Sequence, residues 1–230
     1  MLSPIPDVDV YVTTRTSWHT LAERVLAPAR HGATGRIGLR PAEAGVTTPP
    51  FDGRTITITG TELSITDRSN TTRSPITTLR AAAEAVGIDP GADTGVFTPT
   101  TPAGPDAPLV VDPAMAQILT DWFGFGQRVL SDFGASRPDD TPSEIQLWPE
   151  HFDLALDLGS EAGRANYGAS PGDAGYQLPY LYVGPWNPDD HPFWNAGSFA
   201  RLGYSELLSA PDPAVRAAAF FSEGYAAANS

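Results

Sequence analysis

Residues 147–159 read LWPEHFDLALDLG. From Phe152 onward, apolar Phe152, Leu154, Leu156 and Leu158 alternate with Asp153, Ala155 and Asp157, the pattern of a strand with one buried face. Just ahead of that run stand Glu150 and His151, so three groups able to carry chemistry fall within four positions. Pro149 has no amide hydrogen for a ladder and is expected to bend or bulge the strand where it begins.

The following stretch, SEAGRANYGASPGD, supplies the return strand, with Ser160–Gly163 as the turn. An even-length turn there sets Asp157 opposite Asn166, Asp153 opposite Ser170 and Gly159 opposite Arg164. Side chains alternate across a pleated strand. One face then collects Phe152, Leu154, Leu156, Leu158 and Tyr167, and the other His151, Asp153, Asp157, Arg164, Asn166 and Ser170. The polar set is either a solvated face, with Arg164 paired to Asp157, or the lining of a cleft. In a cleft, His151 oriented by Asp153 is a candidate acid–base pair, and Arg164 with Asn166 a candidate clamp for an anionic group.

Outward from this hairpin the chain alternates helical and strand patterns. TSWHTLAERVLAPAR carries Trp18, Leu21, Ala22, Val25 and Leu26 at helical spacing, with Thr16 or Ser17 as the expected cap. TGRIGLR (34–40), RTITITG (54–60) and ELSITD (62–67) read as strands, with Gly60-Thr61 as a hairpin turn. In SPITTLRAAAEAVG, Ser74 is the expected cap, Pro75 the first turn and Gly87 the left-handed terminus. Residues 89–112 are rich in Pro, Gly, Thr and Asp and read as a connection. Helices open again at Asp112-Pro113 and Asp212-Pro213, the second with Val215, Ala219, Phe220 and Tyr225 toward the core, and strands are expected at 144–158, 163–169 and 179–184. The fold class is α+β: antiparallel sheet with helices packed on one side, suggesting two helix–strands–helix halves, 1–88 and 113–230, joined by 89–112.

Composition narrows the functions. The chain has 230 residues, a formal net charge of −13, no cysteine and no lysine. Without cysteine there are no disulfides, thiolate nucleophiles or sulfur-bound metals. The acidic balance argues against a nucleic-acid partner. The start, MLSPIPDVDVYV, has neither the basic nor the apolar region of a signal peptide, and no apolar run is long enough to span a membrane, so the expectation is a soluble cytoplasmic chain. Four scattered histidines give no metal-ligand spacing, and neither metal nor cofactor is expected. His19 and Glu23, at i, i+4, read as boundary residues of the first helix. Ser170 lies outside any G-x-S-x-G or phosphate-loop pattern.

The segment GPWNPDDHPFWNAGSF (184–199) places Trp186, Phe193, Trp194 and Phe199 where three prolines forbid regular structure. Such aromatics either plug the sheet or wall a ligand pocket, with His191 and Asp189 or Asp190 at its rim. The candidate set is therefore His151 and Asp153 for acid–base chemistry, with Arg164, Asn166, Tyr167, Ser170, Trp186 and Trp194 for ligand binding.

Taken together, TSWHTLAERVLAPARHGATGRIGLR, PITTLRAAAEAVGI, LWPEHFDLALDLG, RANYGASPGD, PYLYVGPW and FWNAGSFARLGYSELL resemble a family of uncharacterised actinobacterial proteins over nearly the whole chain. W-x3-F-D-L-A and the closing helix are similar, more distantly, to a larger bacterial domain family of unknown function. That wider resemblance does not keep the Glu150 and His151 positions, which implies a framework role for Phe152 and Asp153. It implies no reaction. Two functions fit these residues: a small-molecule-binding protein using the polar sheet face and aromatic loop, or a metal-independent acid–base enzyme (hydrolase, lyase or isomerase) acting on a small polar or anionic metabolite.

Overall fold

The structure, a computed structural model, describes residues 1–101 and 104–230; Pro102 and Ala103, within the expected 89–112 connection, lie outside the described residues. Helix α1 (Val8–Leu21) starts eight or nine residues before the cap expected at Thr16 or Ser17. Asp7 is the cap: its extended backbone lets the carboxylate accept from the amides of Asp9 and Val10, both at 3.1 Å. Ser17 lies inside the helix and donates instead to the Val110 carbonyl at 2.8 Å.

The helix runs on through a π-helical turn (Ala22–Leu26) into α2 (Ala27–Thr34). Pro28 explains the widened turn. It has no N–H for the Arg24 carbonyl, and its ring would strike that carbonyl in a regular α-helix. The Ala27 amide instead reaches back five residues to the Ala22 carbonyl. Trp18, Leu21, Ala22, Val25 and Leu26 are fully buried, as their spacing predicts.

Strands β1 (Arg40–Ala42), β2 (Gly45–Thr47), β3 (Arg54–Thr59), β4 (Glu62–Asp67) and β5 (Asn70–Pro75) form an antiparallel sheet in that order. Ile56 and Ile58 are buried while the threonines of β3 face outward, and Gly60, at φ 54°, turns the β3–β4 hairpin. The 34–40 strand is not formed: Thr34 ends α2, and Leu39 makes an isolated bridge to Leu147. Nor does Ser74 cap a helix. It completes the β5 ladder opposite Leu63, and α3 (Leu79–Val86) opens after Thr78, whose hydroxyl accepts from the Ala81 amide. Gly87 ends α3 in the left-handed conformation, as expected.

The 89–112 segment is no free linker. Glu23, buried in the π turn, accepts from the Thr100 amide (2.8 Å) and hydroxyl (3.0 Å) and from the Thr101 amide (3.1 Å) and hydroxyl (2.6 Å). Further along, Arg80 grips Asp106 with two hydrogen bonds, the Leu109 amide bonds the Thr77 carbonyl, and the Asp112 amide bonds the Thr14 hydroxyl.

Helix α4 (Pro113–Ala135) opens as expected on Asp112, which accepts from Ala114 and Met115. The second sheet runs β10 (Ala200–Gly203), β9 (Tyr180–Pro185), β8 (Ala165–Ser170), β7 (Asp153–Leu158) and β6 (Gln146–Trp148), all antiparallel. Gly126 of α4 lies so close to this sheet that a Cβ there would come within 2.6 Å of the Ala169 Cβ. α5 (Tyr204–Ser209) and α6 (Pro213–Ala228) follow. α6 buries Ala217, Phe220, Phe221, Gly224 and Ala227, whereas Val215 and Ala219, expected toward the core, are exposed. Along β10, the Asn195 side chain accepts from the Arg201 amide (2.8 Å) and donates to the Arg201 carbonyl (3.1 Å).

The chain divides into two compact units: Ile5–Asp121 with Leu147–Phe152, and Met1–Pro4 with Trp122–Gln146 and Asp153–Ser230. The division falls inside α4, and the described parts of the 89–112 segment are bonded into the first unit. No helix among the described residues is long and apolar enough to cross a membrane.

Burial by itself would raise the Glu23 carboxyl, but hydrogen bonds from His19, Thr100 and Thr101, with the positive charge of His19, bring it down from 4.5 to about 2. A depressed carboxyl stabilises the fold fully above its unfolded value, and the contribution is lost as pH falls from about 4.5 toward 2. The linkage is worth about 3 kcal/mol. Glu23→Gln should destabilise by about 2–4 kcal/mol at neutral pH and flatten the acid limb of the stability curve between pH 5 and 2, read by denaturant melts across that range.

Candidate functional site

The hairpin read from the sequence forms in the expected register, with Asp157 opposite Asn166 and Leu154 opposite Ala169. Its apolar face is as expected. Leu154, Leu156, Leu158 and Tyr167 are buried, and Tyr167 packs against Phe133 (4.7 Å between ring centroids) and Phe221 (5.9 Å). Tyr167 is therefore a core side chain of the helix-covered face rather than part of a ligand surface.

Trp148 to Phe152 is a tight turn closed by a 2.7 Å hydrogen bond from the Phe152 amide to the Trp148 carbonyl, with Phe152 at φ 54°. This turn scatters the EHFD cluster. His151 is exposed at the tip, Phe152 is buried, and Asp153 starts the strand; His151 belongs to the first unit and Asp153 to the second. Phe152 stacks on His19 (5.1 Å, 12° between planes), whose Nε2 bonds the Pro149 carbonyl at 2.9 Å and lies 3.3 Å from Glu23. His19 and Glu23 thus anchor the turn and the 89–112 segment.

Asp153 lies on the far side of the sheet but is buried, and its Oδ2 accepts from the Tyr182 hydroxyl at 2.5 Å. Burial, reinforced by the Asp153 charge and this bond, holds the Tyr182 hydroxyl well above its usual range. The Tyr182 ring lies on Gly168, where no Cβ fits beneath it. Ser170 is buried beside them and accepts from the Gly172 amide at 3.1 Å; its cross-strand neighbour Tyr180 donates to Asp173 at 2.6 Å. Burial and the Asp173 bond likewise raise the Tyr180 hydroxyl. Arg201 stacks on Tyr176, 3.9 Å from its centroid. This end of the polar face is a closed tyrosine–carboxylate network. Its tyrosines were legible in PYLYVG, where strand alternation sends Tyr180 and Tyr182 to the side opposite Leu181 and Val183.

At the other end of the hairpin, Arg164 and Trp186 come together. The Trp186 amide bonds the Arg164 carbonyl at 2.9 Å, and the guanidinium carbon stands 5.5 Å from the indole centroid. Trp186 remains 57% exposed, which matters because so large a ring is costly to leave wet. Arg164 itself is held in place. One terminal nitrogen donates to the Gly159 carbonyl (3.0 Å) and the Thr141 hydroxyl (3.3 Å), the other to the Asp157 carboxylate and the Thr141 carbonyl. No terminal N–H is left over for an anionic clamp. Both residues line a cleft of about 630 Å³ shared with Asp139, Asp140 and Glu161. Asp139 and Asp140 come from one short 3-10 turn (Pro138–Asp140) and Glu161 from the turn between β7 and β8, and nothing in the sequence pattern joins them to Trp186. Asn166 is exposed on the same sheet face but does not line this cleft.

Trp194 is not part of the cleft. It is buried, donates from Nε1 to Asp189 at 2.7 Å, and meets Phe193 edge-on at 5.4 Å; Phe193 in turn packs on Phe220. That bond and the His191 amide hold the Asp189 carboxyl below its usual range. The aromatic loop therefore divides, with Phe193 and Trp194 as a plug against α6 and Trp186 left at the surface. Among the described residues, no group of three or more His, Asp or Glu side chains is placed to hold a metal ion.

Two substitutions test this description. His151→Ala, at an exposed turn, should change stability by less than about 0.5 kcal/mol. Gly168→Ala should cost about 1–3 kcal/mol, because the new Cβ must push Tyr182 off Asp153. Denaturant melts of both variants measure the contrast.

No family model, curated protein or solved structure matches this chain.

Proposed function

We propose that this protein binds a small molecule in the cleft beside Trp186. The observation that carries the reading is an indole 57% exposed at a cavity of about 630 Å³, backed by a guanidinium whose own position is fixed. Exposure of so large an aromatic surface has a cost that a ligand covering it would remove. The supporting structure is tied by hydrogen bonds: Arg164 and Trp186 lie just beyond the paired ends of β8 and β9, and the residues that hold Arg164 are Gly159, Thr141 and Asp157. A preformed site of this kind needs little ordering when it binds.

The reading differs from the one built on His151 and Asp153. Asp153 is engaged by Tyr182 in a closed network, and His151 sits at a solvent-facing turn in the other unit. Binding at the hairpin's open end needs neither residue. A ligand that covers Trp186 should alter tryptophan fluorescence and raise the melting temperature. At 100 times its dissociation constant it should add about 2.7 kcal/mol of stability. A metabolite-library thermal-shift screen, repeated on Trp186→Ala, tests this. The substitution should change stability by less than about 1 kcal/mol and weaken binding about tenfold or more. Hits that bind Trp186→Ala as tightly as the parent would place the site elsewhere.

A further inference from the structure

We infer that the cleft beside Trp186 selects an organic cation, a small molecule whose ammonium group sits between the indole and the carboxylates of Asp139, Asp140 and Glu161. This rests on the binding reading above and adds the ligand's charge. The cavity and the bare indole make the site; the carboxylates decide its sign.

Among the described residues, the only basic side chain lining the cleft is Arg164, and its charge is already offset by Asp157, which it contacts directly. Its terminal nitrogens are bonded to Asp157, Gly159 and Thr141. A phosphate or carboxylate entering here would meet three carboxylates and no free terminal N–H of Arg164, so anions are disfavoured. A neutral ligand gains stacking on Trp186 but nothing from the charges. An ammonium gains from both, because the indole has the most favourable aromatic face for a cation and nearby carboxylates add direct attraction. The cleft is far larger than a bare metal ion requires, and an indole wall serves an organic substituent rather than a hydrated ion. The net charge of −13 would also draw a cation toward the protein.

The test uses the full chain and three probes of matched shape: benzylammonium, benzyl alcohol and benzoate. Trp186 emission is isolated by subtracting the Trp186→Phe signal, and melts confirm that each variant is folded. Benzylammonium should perturb Trp186 saturably, with affinity falling as salt rises from about 0.01 to 0.5 M. Asp139→Asn and Glu161→Gln should each weaken it roughly two- to fivefold, the range for exposed charge pairs. Benzoate should not bind. Binding of benzyl alcohol or benzoate as tight as that of benzylammonium overturns the cation assignment and leaves the binding reading intact, as does a screen hit at Trp186 that is neutral or anionic while benzylammonium fails. If neither the probes nor any screened compound perturbs Trp186, both fall.

Discussion

A single buried carboxylate organises the first unit. Glu23 sits in a helix turn widened by Pro28, and that widening presents its two oxygens to a segment with no regular structure of its own. Four donors from Thr100 and Thr101, with His19 alongside, satisfy a charge that would be prohibitively costly to bury alone. His19 bonds Pro149, and Phe152 stacks on the His19 ring. One ion therefore sets the course of the 89–112 segment and of the turn that launches β7. π-turns often mark sites of function; here the local helical irregularity serves architecture.

The β7–β8 hairpin shows how one strand face can do two jobs. Its apolar side is a plain core surface against Phe133 and Phe221. The opposite side is closed at one end by tyrosines donating to Asp153 and Asp173, and open at the other, where Arg164 and Trp186 meet an acid-lined cleft. Glycine makes the closed end possible: Gly168 lets the Tyr182 ring lie flat on the sheet and reach Asp153.

Much of this was legible in the sequence, for local reasons. The period-two pattern of FDLALDL and an even turn determine the hairpin register, and Asp-Pro pairs mark the starts of α4 and α6 because Asp supplies the cap and Pro needs no amide partner. What stayed hidden depends on distant partners. Asp7 outranked Thr16 and Ser17 as a cap because the helix began earlier than its apolar stripe. Ser74-Pro75 looks like a helix start, but the β4 ladder claims it. Proline and glycine content left 89–112 as a linker or a long ordered loop, and it is the carboxylate 77 residues away, binding Thr100, that decides for the loop. The polar hairpin face was correctly assembled, and Arg164 does pair with Asp157 as one of its two readings had it, yet alternation says nothing about what covers the face, so buried Asp153 looked like free chemistry.

The Asn195 side chain has a consequence beyond the loop it belongs to. By giving one acceptor and one donor to the Arg201 backbone, it occupies hydrogen-bonding positions on the outer margin of β10 that another strand would need. The sheet's last strand is capped by an amide that cannot propagate a ladder. In a chain without lysine, whose charge commonly guards exposed edges, this small mimic of a neighbouring strand discourages edge-to-edge assembly between copies and limits β10 as a template for aggregation.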